Sequence, residues 1–191
     1  MNSEERIKLF GMSHALVERD LDKVEKELHL DLQRSQSDDK DEDYYPQFDM
    51  TSRAEAAQMA KHYELFYCLE RSIRLLIADT LKSQNGEKWW DTSVPQIVKD
   101  NVKTNIQKET DAGMTPRSDA EIDYTTFGEL GEIVRSNWGN FDAIFSSEKA
   151  FTKIMTSLNM LRGPIAHCCP LAEDEIVRLR LAVADWFRLM G

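Results

Sequence analysis

The sequence predicts an all-α protein, most simply a helical bundle preceded by a long heptad-patterned helix. Three observations point there. Apolar residues recur at steps of three and four along most of the 191 residues. The breaks between those stretches carry turn and helix-stop residues, such as Asn85-Gly86 and Gly163-Pro164. No stretch reads convincingly as a strand, and no segment repeats.

The first element is an amphipathic helix. Ile7, Phe10, His14, Val17, Leu21, Val24 and Leu28 make the narrow seam of a coiled coil on an otherwise charged helix. Gly11 weakens it by about 1 kcal/mol relative to Ala. So narrow a stripe needs a partner, either the rest of the chain or a second copy. If His14 lies on a dimer seam, association weakens as the pH falls below about 6.5. An acidic stretch follows, with five acids and one Lys at positions 38–43. It reads as a solvated linker or as an arm that docks on a basic partner. The expected division is an N-terminal helix over 1–34, a linker over 35–50 and a helical domain over 51–191.

In that domain the spacing predicts a helix from Thr51 to Ser83, with Ser52 as N-cap and Glu55 completing a capping box. Its apolar face includes Ala56, Met59, Ala60, Tyr63, Phe66, Tyr67, Ile73, Ile77 and Leu81, which makes it central to the core. Trp89 and Trp90 close the end of that core. A more polar helix runs from Ser93 to Asp111, with Pro95 in its first turn. After a loop come a short helix carrying Phe127, Leu130, Ile133, Val134 and Trp138, and another from Glu148 to Leu161, stopped by Gly163-Pro164. The last helix spans Leu171–Met190. Its first turn holds Glu173, Asp174 and Glu175, which suit the positive end of the helix dipole. Its expected buried stripe is Ile176, Leu179, Val183, Trp186 and Phe187.

A net charge of −10 argues against broad electrostatic binding to duplex nucleic acid, but leaves room for a local anion site. No apolar run approaches the roughly 18 residues of a membrane span. The start, MNSEERIKLF, has acids where a signal peptide needs a basic and then an apolar stretch, so the expected location is the cytoplasm, with no membrane partner. Cys68, Cys168 and Cys169 are a poor disulfide framework and fit a reducing compartment. Cys168 and Cys169 read as small buried residues. His14, His29 and His62 are scattered and are assigned no chemistry. There is no C-x-x-C spacing and no dense acid–histidine cluster to argue for a metal, and no cofactor is expected.

The stretch RGPIAHCCP, 162–170, is the candidate for chemistry, although an R-x4-H string arises often by chance. Arg162 falls at a helix end and His167 just before the next helix, with a tight Gly163-Pro164 turn expected to bring both onto one side. An arginine offers phosphate a planar fork of donors. A histidine titrates near neutral pH and can exchange a proton with a ribose 2′-hydroxyl or a leaving oxygen. The bland reading is that Arg162 caps its own helix and His167 packs at the next. Glu70 and Arg74 stand one turn apart on the central helix. They form either an i,i+4 surface pair or a partly buried pair facing the Arg162–His167 turn.

An R-x4-H string before the last long helix of an all-α bundle resembles the HEPN superfamily. With YELFYCLERSIRLLIADTL and the GEKWWD turn upstream, residues 50–190 are similar to its branch named after a yeast nuclear RNA-surveillance endonuclease. That resemblance implies a metal-independent endoribonuclease acting as a homodimer, with the Arg–His motifs of two copies facing one cleft. It implies RNA as substrate, and a toxin–antitoxin or phage-defence setting with an antitoxin or regulator as partner. Arg162 would stabilise phosphate charge and His167 would be the acid and base. Glu70 and Arg74 would support that pair or touch substrate. The family often has Asn or Asp after the motif arginine, where this chain has Gly163. Some family members cleave nothing and only dimerise and bind nucleotides or partners, which is the alternative reading. A plain helical scaffold with a structural Arg–His turn is the third.

Overall fold

The computed structural model describes residues 47–191 and, upstream, Val17, Asp20, Leu21, Lys23, Val24 and Glu27. The chain divides into two units, 1–47 and 48–191. In the first, the six described residues are helical, with Val17 and Val24 exposed and Leu21 half-buried. The other seam positions, His14 among them, and the acidic run 38–43 lie outside the described residues.

Among the described residues of the second unit there are six α-helices and no strand. They are α1 (Met50–Asn85), α2 (Trp89–Ser93), α3 (Gln96–Asp111), α4 (Phe127–Ser136), α5 (Glu148–Ala166) and α6 (Glu173–Leu189). Short 3-10 turns stand at Glu121–Tyr124 and Trp138–Asn140. The bundle is all-α, as the sequence predicts.

The N-cap of α1 is Asp49, not Ser52. The Asp49 carboxylate accepts hydrogen bonds from the Ser52 amide and hydroxyl, which holds its pKa below the usual carboxylate range. Gly86, at φ 73°, ends the helix where a side chain would be strained. α1 packs on α2, α4, α5 and both 3-10 turns, while α5 lies between α4 and α6. Phe66, Leu69, Ile73, Ile77 and Leu81 are its buried stripe. Burying each such side chain is worth about 1.5–3 kcal/mol relative to exposure. Tyr63 and Tyr67, expected in that stripe, are exposed instead. The stripe from Phe66 onward already satisfies the helix period, so the two tyrosines fall on the neighbouring face.

Trp89 and Trp90 close one end of the core as expected, in a short helix of their own. α4 opens on a capping box in which Thr126 and Glu129 satisfy each other's backbone. Phe141, Phe145, Phe151 and Trp186 pack with ring centroids 5.0–6.2 Å apart and tie α6 to the start of α5. The buried residues of α6 are Leu179, Ala182, Trp186 and Leu189. Phe187 is exposed, because Trp186 takes the inward position beside it.

α5 departs most from expectation. It runs through Gly163-Pro164 to Ala166, and His167 is its C-cap. Without a Cβ, Gly163 removes much of the clash that the Pro164 ring makes with a preceding residue. The one helical bond Pro164 cannot donate would go to Met160, on the exposed side. Cys168 follows at φ 56°, and the Cys169 amide donates to the Pro164 carbonyl at 2.9 Å. This bond is the outer closure of a Schellman cap, with a cysteine where glycine is usual. Cys68, Cys168 and Cys169 are all exposed, so the expected burial of the last two fails: the cap turns that segment outward. Cys168→Gly should relieve the left-handed strain and stabilise the fold by about 0.5–1 kcal/mol. Chemical denaturation checks this, and an unchanged midpoint would mean that Cys168 sits there without cost.

His62 is buried on α1. Burial, with the charges of Lys61 and Arg180 added, holds its imidazole below its ordinary pKa. The unfolded chain therefore binds a proton near pH 6.5 that the folded chain refuses. Stability from this residue is complete above that pH and is lost as pH falls through it toward the folded value. Between pH 7.5 and 5.5 the unfolding midpoint should fall less in His62→Gln than in the parent. Equal falls would remove His62 from the account.

Candidate functional site: a Glu70-centred arginine cleft

The described part of α1 carries Glu70 and Arg74 on the face next to its buried stripe. α5 brings Arg162 to the same place across 92 positions of sequence. Glu70 Oε1 accepts from Arg74 Nη2 at 2.6 Å, and Oε2 accepts from Arg162 Nε at 3.0 Å. The carboxylate is largely buried, its side chain 13% exposed. One negative charge thus sits between two guanidiniums that would otherwise repel.

The two arginines differ in what remains free. Arg74 also donates from Nε to the Ile122 carbonyl at 3.3 Å and from Nη2 to the Thr125 carbonyl at 3.0 Å. It is a bracket between α1 and the 3-10 turn. Arg162 is 40% exposed, and among the described residues only its Nε finds an acceptor. Its Nη1 and Nη2 are donors without a described partner. A planar fork anchored at Nε and open at its tip suits a phosphate.

These residues line a cleft of about 410 Å³ together with Tyr63, Phe66, Tyr67, Arg71, Arg117, Asp123, Ile165 and Ala166. Four guanidiniums face two carboxylates there, on a chain of net charge −10. The Arg117 guanidinium pairs with Glu109 and lies 5.0 Å from the Tyr124 ring centre. The Glu109 hydrogen bond raises its pKa above the usual arginine value, against the opposing effect of burial. Among the described residues no group of three or more His, Cys, Asp and Glu side chains has metal-holding geometry.

Of the residues singled out from sequence, Glu70, Arg74 and Arg162 therefore meet, with the pair partly buried and facing Arg162. His167 does not join them within one chain. The expected turn, placing Arg162 and His167 on one side, is replaced by continuing helix. Five residues of helix rotate by about 140° net, so the imidazole starts from another side of α5 than the guanidinium. His167 is exposed, and no described residue hydrogen-bonds its ring. Ala166, its neighbour, is the last residue of α5 that lines the cleft. Gly163 has open space, with nothing within 4 Å of an added Cβ.

Sequence reasoning passed over Arg117, Arg71 and the two tyrosines. Arg117 sits in a polar loop with no local signal. Tyr63, Tyr67, Glu70, Arg71 and Arg74 share helical spacing, and that pattern could have been read as one polar-aromatic face.

The comparisons with known proteins bear on the same region. The family model described as Swt1-like HEPN matches residues 64–191, about two thirds of the chain, and spans Glu70, Arg74, Arg162 and His167. No curated protein and no solved structure matches the chain. With that share of its length matched, the chain belongs to the Swt1-like HEPN family.

Proposed function

We propose that this protein is a metal-independent endoribonuclease of HEPN type, working as a homodimer with Arg162 and His167 of both copies around one composite cleft. The observation that carries the proposal is Arg162: Glu70 holds its Nε and leaves both Nη donors open to the cleft. A group so placed can bind a phosphodiester and stabilise the charge that builds on phosphorus-bound oxygens. The chemistry then needs a base and an acid. His167 takes the proton of a ribose 2′-hydroxyl, and that oxygen attacks the adjacent phosphorus. The bond to the 5′-oxygen breaks, and the partner's His167 donates the proton that the leaving oxygen requires. The products are a 2′,3′-cyclic phosphate and a free 5′-hydroxyl. Because His167 leaves α5 on another side than Arg162, a second copy is a natural source of the missing group. A toxin–antitoxin or phage-defence setting, with a protein antitoxin or regulator, is the context the family resemblance supplies.

The second reading is a catalytically inactive module that dimerises and binds nucleotides or a partner. That Arg162 and His167 share no hydrogen bond within the chain, and that of the two only Arg162 lines the cleft, favours it. Incubating total cellular RNA with the purified protein in EDTA separates the two. Cleavage leaving 2′,3′-cyclic phosphate ends supports the nuclease, whereas intact RNA in the presence of a folded dimer supports the module.

A further inference from the structure

We infer that Tyr63 and Tyr67, followed by Arg71, form a track that stacks the unpaired bases of a single RNA strand entering the Arg162 cleft. This rests on the ribonuclease reading and adds to it which form of RNA is accepted. Tyr63 and Tyr67 are 60% and 55% exposed, although they stand on the longest helix of the bundle. They are one helical turn apart, with ring centres 6.3 Å from each other and planes tilted by 36°. Arg71 comes one turn further on, is exposed, and pairs with no described acid. All three line the cleft that holds Glu70, Arg74 and Arg162.

The occupant follows from the alternation of rings and charge. An aromatic ring binds the flat face of a base, and an arginine beside it takes the phosphate or stacks in turn. A duplex hides its base faces inside its own stack. It presents only edges and backbone, which the rings cannot use. The local excess of guanidiniums on an acidic chain fits an anionic strand more closely than an apolar protein surface. A second copy of the chain covering the rings is the competing occupant.

The test uses the full chain carrying His167→Ala, so that bound RNA survives, and three labelled 12-residue probes. These are an adenosine oligoribonucleotide, an RNA duplex of equal length, and an abasic ribose-phosphate strand. The adenosine strand should bind at least tenfold tighter than the other two. Adding Tyr63→Leu and Tyr67→Leu should weaken it about tenfold or more, the range for losing stacked bases, and leave abasic binding unchanged. Tyr67→Leu alone should show part of that loss. Equal binding of adenosine and abasic strands overturns the track without needing any variant. So does an unaltered affinity in a folded leucine variant, or a variant that only loses dimer mass in sedimentation, which would assign the rings to the second copy. If no probe binds and wild type cuts no RNA, the ribonuclease reading itself has failed. If wild type cuts RNA and the leucine variants bind normally, only the track has.

Discussion

His167→Ala is expected to lower RNA cleavage about 100- to 10,000-fold, the range for losing a positioned acid or base. Its folding should be untouched. His167 is exposed, caps α5 through its backbone amide, and hydrogen-bonds no described residue with its ring. Exposed positions of that kind change stability by at most about 0.5 kcal/mol. The pairing of a large rate loss with an unchanged melt is what separates a role in the chemistry from a role in the cap. Arg162→Lys sharpens the point. A lysine keeps the charge and can still reach Glu70, but it has no fork to present to phosphate. Activity should fall strongly and stability little. Cleavage that survives both substitutions would mean that the centre lies elsewhere.

Arg74→Met is expected to have the opposite profile, with stability lost by about 2–3 kcal/mol. The substitution preserves much of the aliphatic stem but strands the Thr125 carbonyl and takes one donor each from the Glu70 carboxylate and from the Ile122 carbonyl, which keeps the Thr125 amide and hydroxyl. Glu70 then has Arg162 alone to balance its burial. Ile122 and Thr125 are themselves buried, so water replaces the lost donors poorly. Urea unfolding measures the cost. Hydrogen exchange should show the amides of residues 121–126 losing protection first, because Arg74 is what ties that turn to α1. A change below about 0.5 kcal/mol would mean that the bracket is closed by other contacts.

Much of this was legible in the sequence, and the reasons are physical. The helix periods of α1, α4 and α6 are carried by residues such as Ile73, Leu130 and Leu179, which are fully buried. Glu70 and Arg74 stood out because charges one turn apart among apolar neighbours demand a partner, and the partner is Arg162. The end of α5 was not legible. Pro164 ordinarily stops a helix near the residue before it, and only the preceding glycine and the cap bond from Cys169 to Pro164 let this one continue. The continuing helix puts His167 on another side than expected, and the cap after it exposes two cysteines whose expected burial followed only from the usual behaviour of free thiols. Arg117 was invisible for another reason: its pairing with Glu109 and its approach to Tyr124 depend on tertiary folding of a loop that has no period.

The central claim is that this chain cuts RNA by attack of a 2′-hydroxyl, with Arg162 and His167 at the centre. The most direct test takes one RNA that the protein cleaves in EDTA and its fully 2′-O-methylated copy, each offered to wild type and to His167→Ala. The account predicts that wild type cuts the unmodified strand to a 2′,3′-cyclic phosphate and leaves the methylated strand whole, while His167→Ala cuts neither. Cleavage of the methylated strand, or equal cleavage by both proteins, would contradict it.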